Sequence, residues 1–441
     1  MKRTSRLPFD CCLLTALCCL PALAAFTQAQ TTAPIELVAK DPAGHGLLAR
    51  RQGKTILMLE GTPQEMGAAH GTLLGRPART LCERVVHLAG GADSLQSGRW
   101  FLDTMAEVHS RALPHTPPRF LEEIDALSAA AGVSQRDGRY ANLFPERFHC
   151  SGVAVRNSAT VDGRVIHARV LDYMTEVGLQ EQAAVILHMP DGRNTWLNLG
   201  YAGFVGTVTA MNERGLAIGE MGGGGEGDWD GMPMSFLLRD CMERAATVDE
   251  AIEIIESTPR TCEYYYVLSD KSRAMAALCC TPQEVIVLRP GQQHPGLPHV
   301  PPDTVLISGP GRAEALSRRI RESFGRIDVP RMIEIIKRPV AMESNLHDAV
   351  FMPETLDMWF ADAGRSTPAC DQPYAHVNLA ELVRFYATAM PDGKWRLTPS
   401  VAWPAADSRR WMRRCAARRR TSVAQFASRP GGGYHAGAAV G

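Results

Sequence analysis

A thiol, a guanidinium and a carboxylate stand at close spacing in the middle of the chain. Cys150 lies in the run His149-Cys150-Ser151-Gly152-Val153-Ala154-Val155. Asp162-Gly163-Arg164 follows, and then His167-Ala168-Arg169-Val170-Leu171-Asp172-Tyr173. Two apolar runs around Asp-Gly read as a strand, a tight turn and a return strand. Pairing of those strands carries Arg169 and Asp172 back beside Cys150. The thiolate is the nucleophilic form of cysteine, and a neighbouring cation favours it. A thiol so placed can attack a carbonyl carbon. Taken singly, Arg169 and Asp172 read as a cross-strand surface pair of little worth, and Cys150 as a small buried apolar residue. The three together read as a site.

The elements needed to position them can be traced along the chain. Residues 35–60 are β-rich. Thr62-Pro63-Gln64-Glu65 then opens a helix, with Thr62 as cap, Pro63 at the first position and Glu65 closing a capping box. His70 on that helix is read as a structural histidine. Residues 99–131 follow a helical period broken at Pro114 and Pro117-Pro118, with Leu121, Ile124, Leu127 and Ala131 on one face and Gly132 as C-cap. From Cys150 onward the period becomes two. Residues 183–188 pair with 194–199, and 206–211 with 216–219, as successive hairpins. Helices are expected at 233–245 and 247–256, the second opened by Thr247-Val248-Asp249-Glu250. Strands return at 264–268, 273–279 and 284–288. Helices are expected again from Ser317 and over 329–337. Sheets and helices in this order suit an α+β fold, an αββα sandwich of two stacked antiparallel sheets.

The nucleophile segment resembles the cysteine-type N-terminal-nucleophile (Ntn) hydrolases. The matching branch contains acyl-CoA:6-aminopenicillanate acyltransferase, acid ceramidase-like N-acylethanolamine amidases and, more distantly, choloylglycine hydrolases. Its pattern is a Cys, a hairpin and a His-Gly-Arg-Asn-Leu-Asp-Tyr-like run. Here Arg169 and Asp172 match, while Ala168 and Val170 replace Gly and Asn, so Val170 removes one polar contact. The Gly67-Ala68-Ala69-His70-Gly71 and Glu343-Ser344-Asn345-Leu346-His347 segments also fit, and the likeness spans roughly residues 50–385. It implies the same αββα fold and self-cleavage between His149 and Cys150. The freed α-amino group then acts as base, since such amines titrate near about 7.7–8.0.

The resemblance further implies that Arg169 holds the thiolate or a substrate oxygen, and that Asp172 accepts from the new α-ammonium. Asn212 is the implied oxyanion-hole donor. A second family Asn normally follows a strand near Val305-Leu306-Ile307. Ser308-Gly309-Pro310-Gly311 stands there instead, so either a backbone N–H of this loop substitutes or the hole is weaker. Arg318 matches a more distant family arginine. The implied partner is a small-molecule N-acyl substrate, with acyl-CoA or another acyl donor as the acyl source, and no cofactor or metal is called for. Trp229 reads as an acyl-pocket wall or as simple packing. Gly222–Gly227 lacks the Lys-Ser/Thr of a phosphate loop and reads as a loop over the site.

Composition bounds the alternatives. The 441 residues are 45% hydrophobic and 21% charged, an ordinary globular balance. Lys2, Arg3 and Arg6, the apolar run 11–20 and Ala22-Leu23-Ala24 form a secretory leader over 1–24, too short to span a membrane stably. Export to the periplasm or beyond is the expectation. Residues 25–149 read as the pro-region, 150–390 as the catalytic chain and 391–441 as a basic, disordered tail. The formal charge is +0, but residues 25–390 carry 34 basic and 44 acidic side chains. So acidic a body argues against nucleic acid as partner. Of twelve cysteines, none forms a CxxC pair, which excludes zinc-knuckle and thioredoxin-type sites. The rival readings are a phospholipase B-like lipid hydrolase of the same fold and a non-catalytic periplasmic binding protein.

Overall fold

The structure is a computed structural model that describes residues 33–143, 150–223 and 227–390. The expected leader, His149 with the expected cleavage point, and the basic tail lie outside the described residues. Upstream of Cys150 come β1 (Glu36–Lys40), β2 (Gly46–Arg51) and β3 (Lys54–Gly61), then α1 (Pro63–Glu83), α2 (Gly90–Ser97), α3 (Phe101–Ala112), α4 (Pro118–Ala131) and α5 (Gln135–Ala141). Downstream are β4 (Ser151–Val155), β5 (Ile166–Asp172), β6 (Ala183–Pro190), β7 (Trp196–Tyr201), β8 (Thr209–Asn212) and β9 (Leu216–Gly222). Next come α6 (Met234–Arg244), α7 (Val248–Ser257), β10 (Tyr264–Asp270), β11 (Met275–Cys280), β12 (Val285–Leu288) and β13 (Thr304–Ser308). The described chain closes with α8 (Arg312–Ser323), α9 (Val329–Ile336), β14 (Asn345–Met352), β15 (Asp357–Asp362), β16 (Ala375–Asn378) and α10 (Leu379–Ala389).

Two sheets stack face to face. One has ten strands in the order β1-β2-β3-β6-β7-β8-β9-β10-β11-β12, and the other six in the order β13-β4-β5-β14-β15-β16. Strand periodicity decides which side chains lie between them. Leu47, Met58, Leu187, Leu197, Phe351 and Phe360 fill one end of the intersheet layer. The outer face of the large sheet packs on α1, α4, α6 and α7 through residues such as Ile186, Ile218, Phe120 and Leu238. The outer face of the small sheet packs on α8 and α9 through Val153, Val170, Leu316 and Met332. The result is the expected α+β, four-layer αββα sandwich.

Local chemistry accounts for the element ends. Thr62 and Glu65 form the full capping box of α1, a device worth about 1 kcal/mol. Thr247 caps α7 by accepting from Glu250 N–H, but the Glu250 carboxylate turns to the N–H of Ala246, so only half of that box forms. Gly132 closes α4 at φ 69°, where a side chain would be strained.

Three expectations need correction. First, β4 and β5 pair in antiparallel register, Gly152 opposite Arg169, but residues 156–165 form a longer connection with a 3₁₀ turn at Asn157–Ala159 rather than a two-residue turn. Second, β3 and β6 pair parallel, so the large sheet is not purely antiparallel. Residues before Cys150 thereby supply three strands to the ten-stranded sheet. Third, α8 begins at Arg312, five residues before the expected Ser317.

Candidate active site

β5 delivers two chemical groups to two different layers, because alternate residues of a strand face opposite ways. Arg169 points between the sheets and Asp172 toward the helices over the small sheet. Cys150 sits just before β4, at the shared end of both, and is 4% exposed. Close approach of the sheets depends on glycine. A Cβ on Gly152 would stand 2.7 Å from Met221 Sδ, and one on Gly219 would stand 2.7 Å from Arg169 Cγ.

Arg169 Nη2 lies 3.6 Å from Cys150 Sγ. The same guanidinium donates from Nε to the Glu220 carbonyl (3.0 Å), from Nη2 to Glu220 Oε2 (3.3 Å) and from Nη1 to His347 Nε2 (3.2 Å). Burial pushes the Cys150 thiol up to about 12, and the nearby Arg169 charge opposes that shift. A thiol held so high favours its protonated form at neutral pH, and a base is needed to make it nucleophilic. Glu220, fully buried, is pushed up to about 7 by desolvation, against the pull of Arg169.

Asp172 completes a second clamp. Its Oδ1 accepts from Met342 N–H (2.9 Å) and its Oδ2 from Arg312 Nη1 (2.5 Å). Arg312 Nη2 reaches on to the Cys150 carbonyl oxygen (3.0 Å). Burial raises the Asp172 pKa above the usual carboxylate range, while the Met342 N–H and Arg312 pull it back. Cys150 is thus gripped on its side chain by Arg169 and on its backbone by Arg312. Ser308, opposite Ser151 across the β13–β4 pair, shares a 2.6 Å hydroxyl contact with it and flanks the nucleophile.

An apolar cavity of about 100 Å³ adjoins this clamp. Leu171, Tyr173, Tyr201 and Leu346 line its catalytic side, and Leu81 and Val85, upstream of the nucleophile, line the other. Cys150 belongs to the same packed cluster as Leu81, Val85, Leu171, Tyr201 and Leu346.

The remaining sequence candidates separate clearly. Asn212 is no oxyanion donor. Both of its amide hydrogens are committed, to the carbonyls of Met242 (2.9 Å) and Ala245 (2.8 Å). Its Oδ1 accepts from the N–H groups of Arg214 and Leu216. It is a turn residue that ties β8 to the end of α6. It also lies three residues, roughly 10 Å, beyond Thr209, the β8 residue nearest the site. Arg318 is solvent-exposed and faces only Glu322, at 3.9 Å. Trp229 packs, partly buried, against the core on the outer face of the large sheet and is not part of the cavity wall. Val170 faces the α8–α9 layer, so its replacement of a polar residue does not touch the thiol. His70 is structural: its Nε2 accepts from Gly203 N–H (2.9 Å), and burial drives it down to about 3.

Arg312, Glu220, His347 and Tyr201 were not anticipated from sequence. The signal for two of them was present. Glu220 is the one charged residue in the otherwise apolar β9, and His347 is one of three polar residues, with Asn345 and Asp348, buried in β14. A polar residue at such a position costs free energy unless it is paired, which marks it for scrutiny.

A profile of the family described as acyl-coenzyme A:6-aminopenicillanic acid acyl-transferase matches residues 160–294. The chain is similar to protein dcd1B of Dictyostelium discoideum, 27% identical over 332 residues, covering 67% of this chain and 66% of that protein, just short of two thirds of its length. It is also similar to the N-acylethanolamine-hydrolyzing acid amidase of Rattus norvegicus, 23% identical over 204 residues, covering 43% of this chain and 52% of the amidase. Among solved structures, the Caenorhabditis elegans ortholog of that amidase gives a TM-score of 0.36 at 17% identity, covering 46% of this chain and 93% of its own. The conjugated bile acid hydrolase of Clostridium perfringens gives 0.37 at 13% identity, covering 53% and 93%.

Proposed function

We infer, for a chain that belongs to the acyl-coenzyme A:6-aminopenicillanic acid acyl-transferase family and is of Ntn-hydrolase type, that it is an exported, self-processing cysteine amidohydrolase or acyltransferase. Its substrates are N-acyl amides with an apolar acyl group. The carrying observation is the double clamp on Cys150, with Arg169 on the thiol and Arg312–Asp172 on the carbonyl, beside an apolar cavity. The acyl-amidase name of the rat relative supports the same substrate class.

The chemistry follows from the groups present. In the precursor, Cys150 Sγ attacks the carbonyl carbon of His149. The peptide C–N bond breaks, a thioester forms and the amine takes a proton. Water then hydrolyses the thioester, which frees the Cys150 thiol and leaves the released Cys150 α-amine as the new N-terminus. That amine removes the thiol proton in each later turnover, which the raised thiol pKa makes necessary. Both Asp172 oxygens keep a lone pair beyond their present bonds, so one can orient the α-ammonium. Arg169 stabilises the thiolate. The acyl group passes to sulfur, the amine departs, and water or a second amine takes the acyl group. Because the cavity is walled by residues on both sides of the cut, the two pieces must stay together to bind the acyl chain.

The test is intact-protein mass spectrometry of the mature chain beside Cys150→Ala, followed by a screen of N-acyl amides, esters and acyl-CoA with amine acceptors. Two fragments with Cys150 at a new N-terminus, absent from the variant, and Cys150-dependent amide turnover are expected. An uncut chain that turns over no amide would overturn the reading. Turnover confined to esters would move the protein to the lipid-hydrolase class.

A further inference from the structure

The site described so far offers no amide donor, only the Ser308 hydroxyl shared with Ser151, for the oxygen that becomes negative when Cys150 attacks an amide. Asn212 is fully committed elsewhere, and Ser308 occupies the place expected for a second donor. Such a donor contributes much of the rate in acyl transfer. The polar groups between the sheets supply a candidate through the direction of their hydrogen bonds.

His347 sits in β14 opposite Leu171 of β5, fully buried in the intersheet layer. Its Nε2 has two polar neighbours, Arg169 Nη1 at 3.2 Å and Thr209 Oγ1 at 2.9 Å. A guanidinium carries hydrogens only and cannot accept. His347 Nε2 must therefore be the lone-pair nitrogen. Burial and the Arg169 charge both oppose a second proton on the ring, so the imidazole is neutral and its one hydrogen resides on Nδ1. Nδ1 lies 2.8 Å from the Tyr201 hydroxyl. The direction of that bond is now fixed: His347 donates and Tyr201 accepts. The Tyr201 hydroxyl hydrogen is left to point away from His347. Tyr201 closes β7 at the catalytic side of the cavity and packs in the same cluster as Cys150.

We propose that Tyr201 is the oxyanion-hole donor of this enzyme, its hydroxyl hydrogen released toward the substrate carbonyl by the chain Arg169–His347–Tyr201. Arg169 then serves two ends of one reaction. Nη2 faces the attacking sulfur, and Nη1 sets the tautomer that turns Tyr201 into a donor. No proton leaves Tyr201. The hydroxyl donates a hydrogen bond to the carbonyl oxygen, which strengthens as the oxygen takes the electron pair of the breaking π bond and relaxes as that pair re-forms C=O and the amine departs. The inference rests on the amidase reading and deepens it.

Tyr201→Phe in the full-length chain tests it. Removal of one oxyanion donor lowers kcat by roughly 10²–10³-fold in acyl transfer. That loss is expected here with KM within threefold of wild type, on whichever N-acyl amide the wild type turns over. Self-cleavage at His149–Cys150, followed by intact mass, is expected to proceed, because its carbonyl belongs to the chain and not to a bound substrate. Alkylation of Cys150 by iodoacetamide, which forms no oxyanion, is expected to keep its rate. A kcat within threefold of wild type overturns the proposal. So does a loss of alkylation rate equal to the loss in kcat, or a variant that fails to cleave, since either makes Tyr201 structural. His347→Gln is the second variant. It removes the fixed Nδ1–H donor and is expected to lower kcat by about tenfold while cleavage and alkylation persist; an unchanged kcat would remove the relay from the proposal. A wild type that cleaves but hydrolyses no amide overturns the amidase reading itself, a result separable from an active wild type with an equally active Tyr201→Phe.

Discussion

Arg169 and Arg239 are the most deeply buried arginines among the described residues, and their surroundings differ. Arg239 of α6 donates to Glu123 of α4 (2.5 Å), to Glu243 one turn on (2.8 Å) and to the Val205 carbonyl (2.9 Å), with Phe120 and Trp196 rings on its faces. Burial alone would lower its pKa, but the two carboxylates outweigh burial and raise it. Arg169 has one carboxylate, Glu220, at 3.3 Å, and otherwise a backbone carbonyl, an imidazole and a thiol. Arg239 is a cation saturated by anions, and it joins the segment before the nucleophile to the segment after it. Arg169 is left with attraction to spare, directed at the Cys150 sulfur, which the proposed reaction makes negative. A buried cation that only holds a fold together is best fully neutralised, whereas one that takes part in a reaction needs an incomplete set of partners.

Exchanging each arginine for methionine should separate the two roles. Arg169→Met is expected to fold, because an apolar side chain of similar length fits a buried site, and to lose at least about 10³-fold in amide turnover and Cys150 alkylation together. Arg239→Met strands Glu123 without its ion-pair partner, while Glu243 keeps Arg119 at 3.1 Å. Breaking a buried pair in this way costs about 3–5 kcal/mol, read as a lower midpoint in denaturant unfolding, with turnover per folded molecule within a few-fold of wild type. If Arg239→Met lost turnover without losing stability, the contrast would collapse.

Glu220→Gln probes how far the neutralisation of Arg169 is tuned. The Glu220 charge raises the thiol pKa of Cys150. Removing it leaves Arg169 freer to stabilise the thiolate, so the pH profile of Cys150 alkylation should move to lower pH, by roughly one unit. A shift to higher pH would mean that Glu220 acts by holding Arg169 in place rather than by sharing its charge.

How much of this was legible in the sequence follows from where the information lies. Cys150, Arg169 and Asp172 were brought together by local pairing of two neighbouring strands, and strand period and turn chemistry determine that much. The capping box at Thr62–Glu65 and the C-cap at Gly132 are local for the same reason. Asn212 misled because Asn-x-x-Gly satisfies a turn whether or not it satisfies an oxyanion, and only the end of α6 shows where its amide points. Arg312 was missed because Ser308-Gly309-Pro310-Gly311 reads as a loop that delays the helix, so the candidate arginine was placed six residues late, at Arg318. Glu220, Tyr201 and His347 come from three strands of two sheets. Their meeting is set by sheet order, which no local pattern encodes.

The comparison extends to a buried carboxylate that lacks a cation of its own. Asp348, fully buried in β14, accepts from Asn345 Nδ2 (2.9 Å) and Tyr374 OH (2.8 Å). Burial pushes it up to about 7, with Asp172 adding to the rise and the two hydrogen bonds and Arg169 opposing it. In the unfolded chain it titrates near 3.8. Between those two values the native state holds a proton that the unfolded state has lost, so stability falls as pH rises, by up to about 1.4 kcal/mol per pH unit. Above pH 7 both states are ionised and the contribution is flat. Glu220 slopes in the same direction over its own window, from 4.5 to about 7. Asp348→Asn should therefore remove part of the decline in unfolding free energy between pH 4 and 7 and leave the Glu220 part. The effect is read as a shallower slope of denaturant midpoint against pH. A slope unchanged by Asp348→Asn would mean that Asp348 is ionised when folded, with Arg169 and Arg312 supplying its charge balance through Asp172, and the division between saturated and unsaturated buried charges would then have to be redrawn on the helix side of the small sheet.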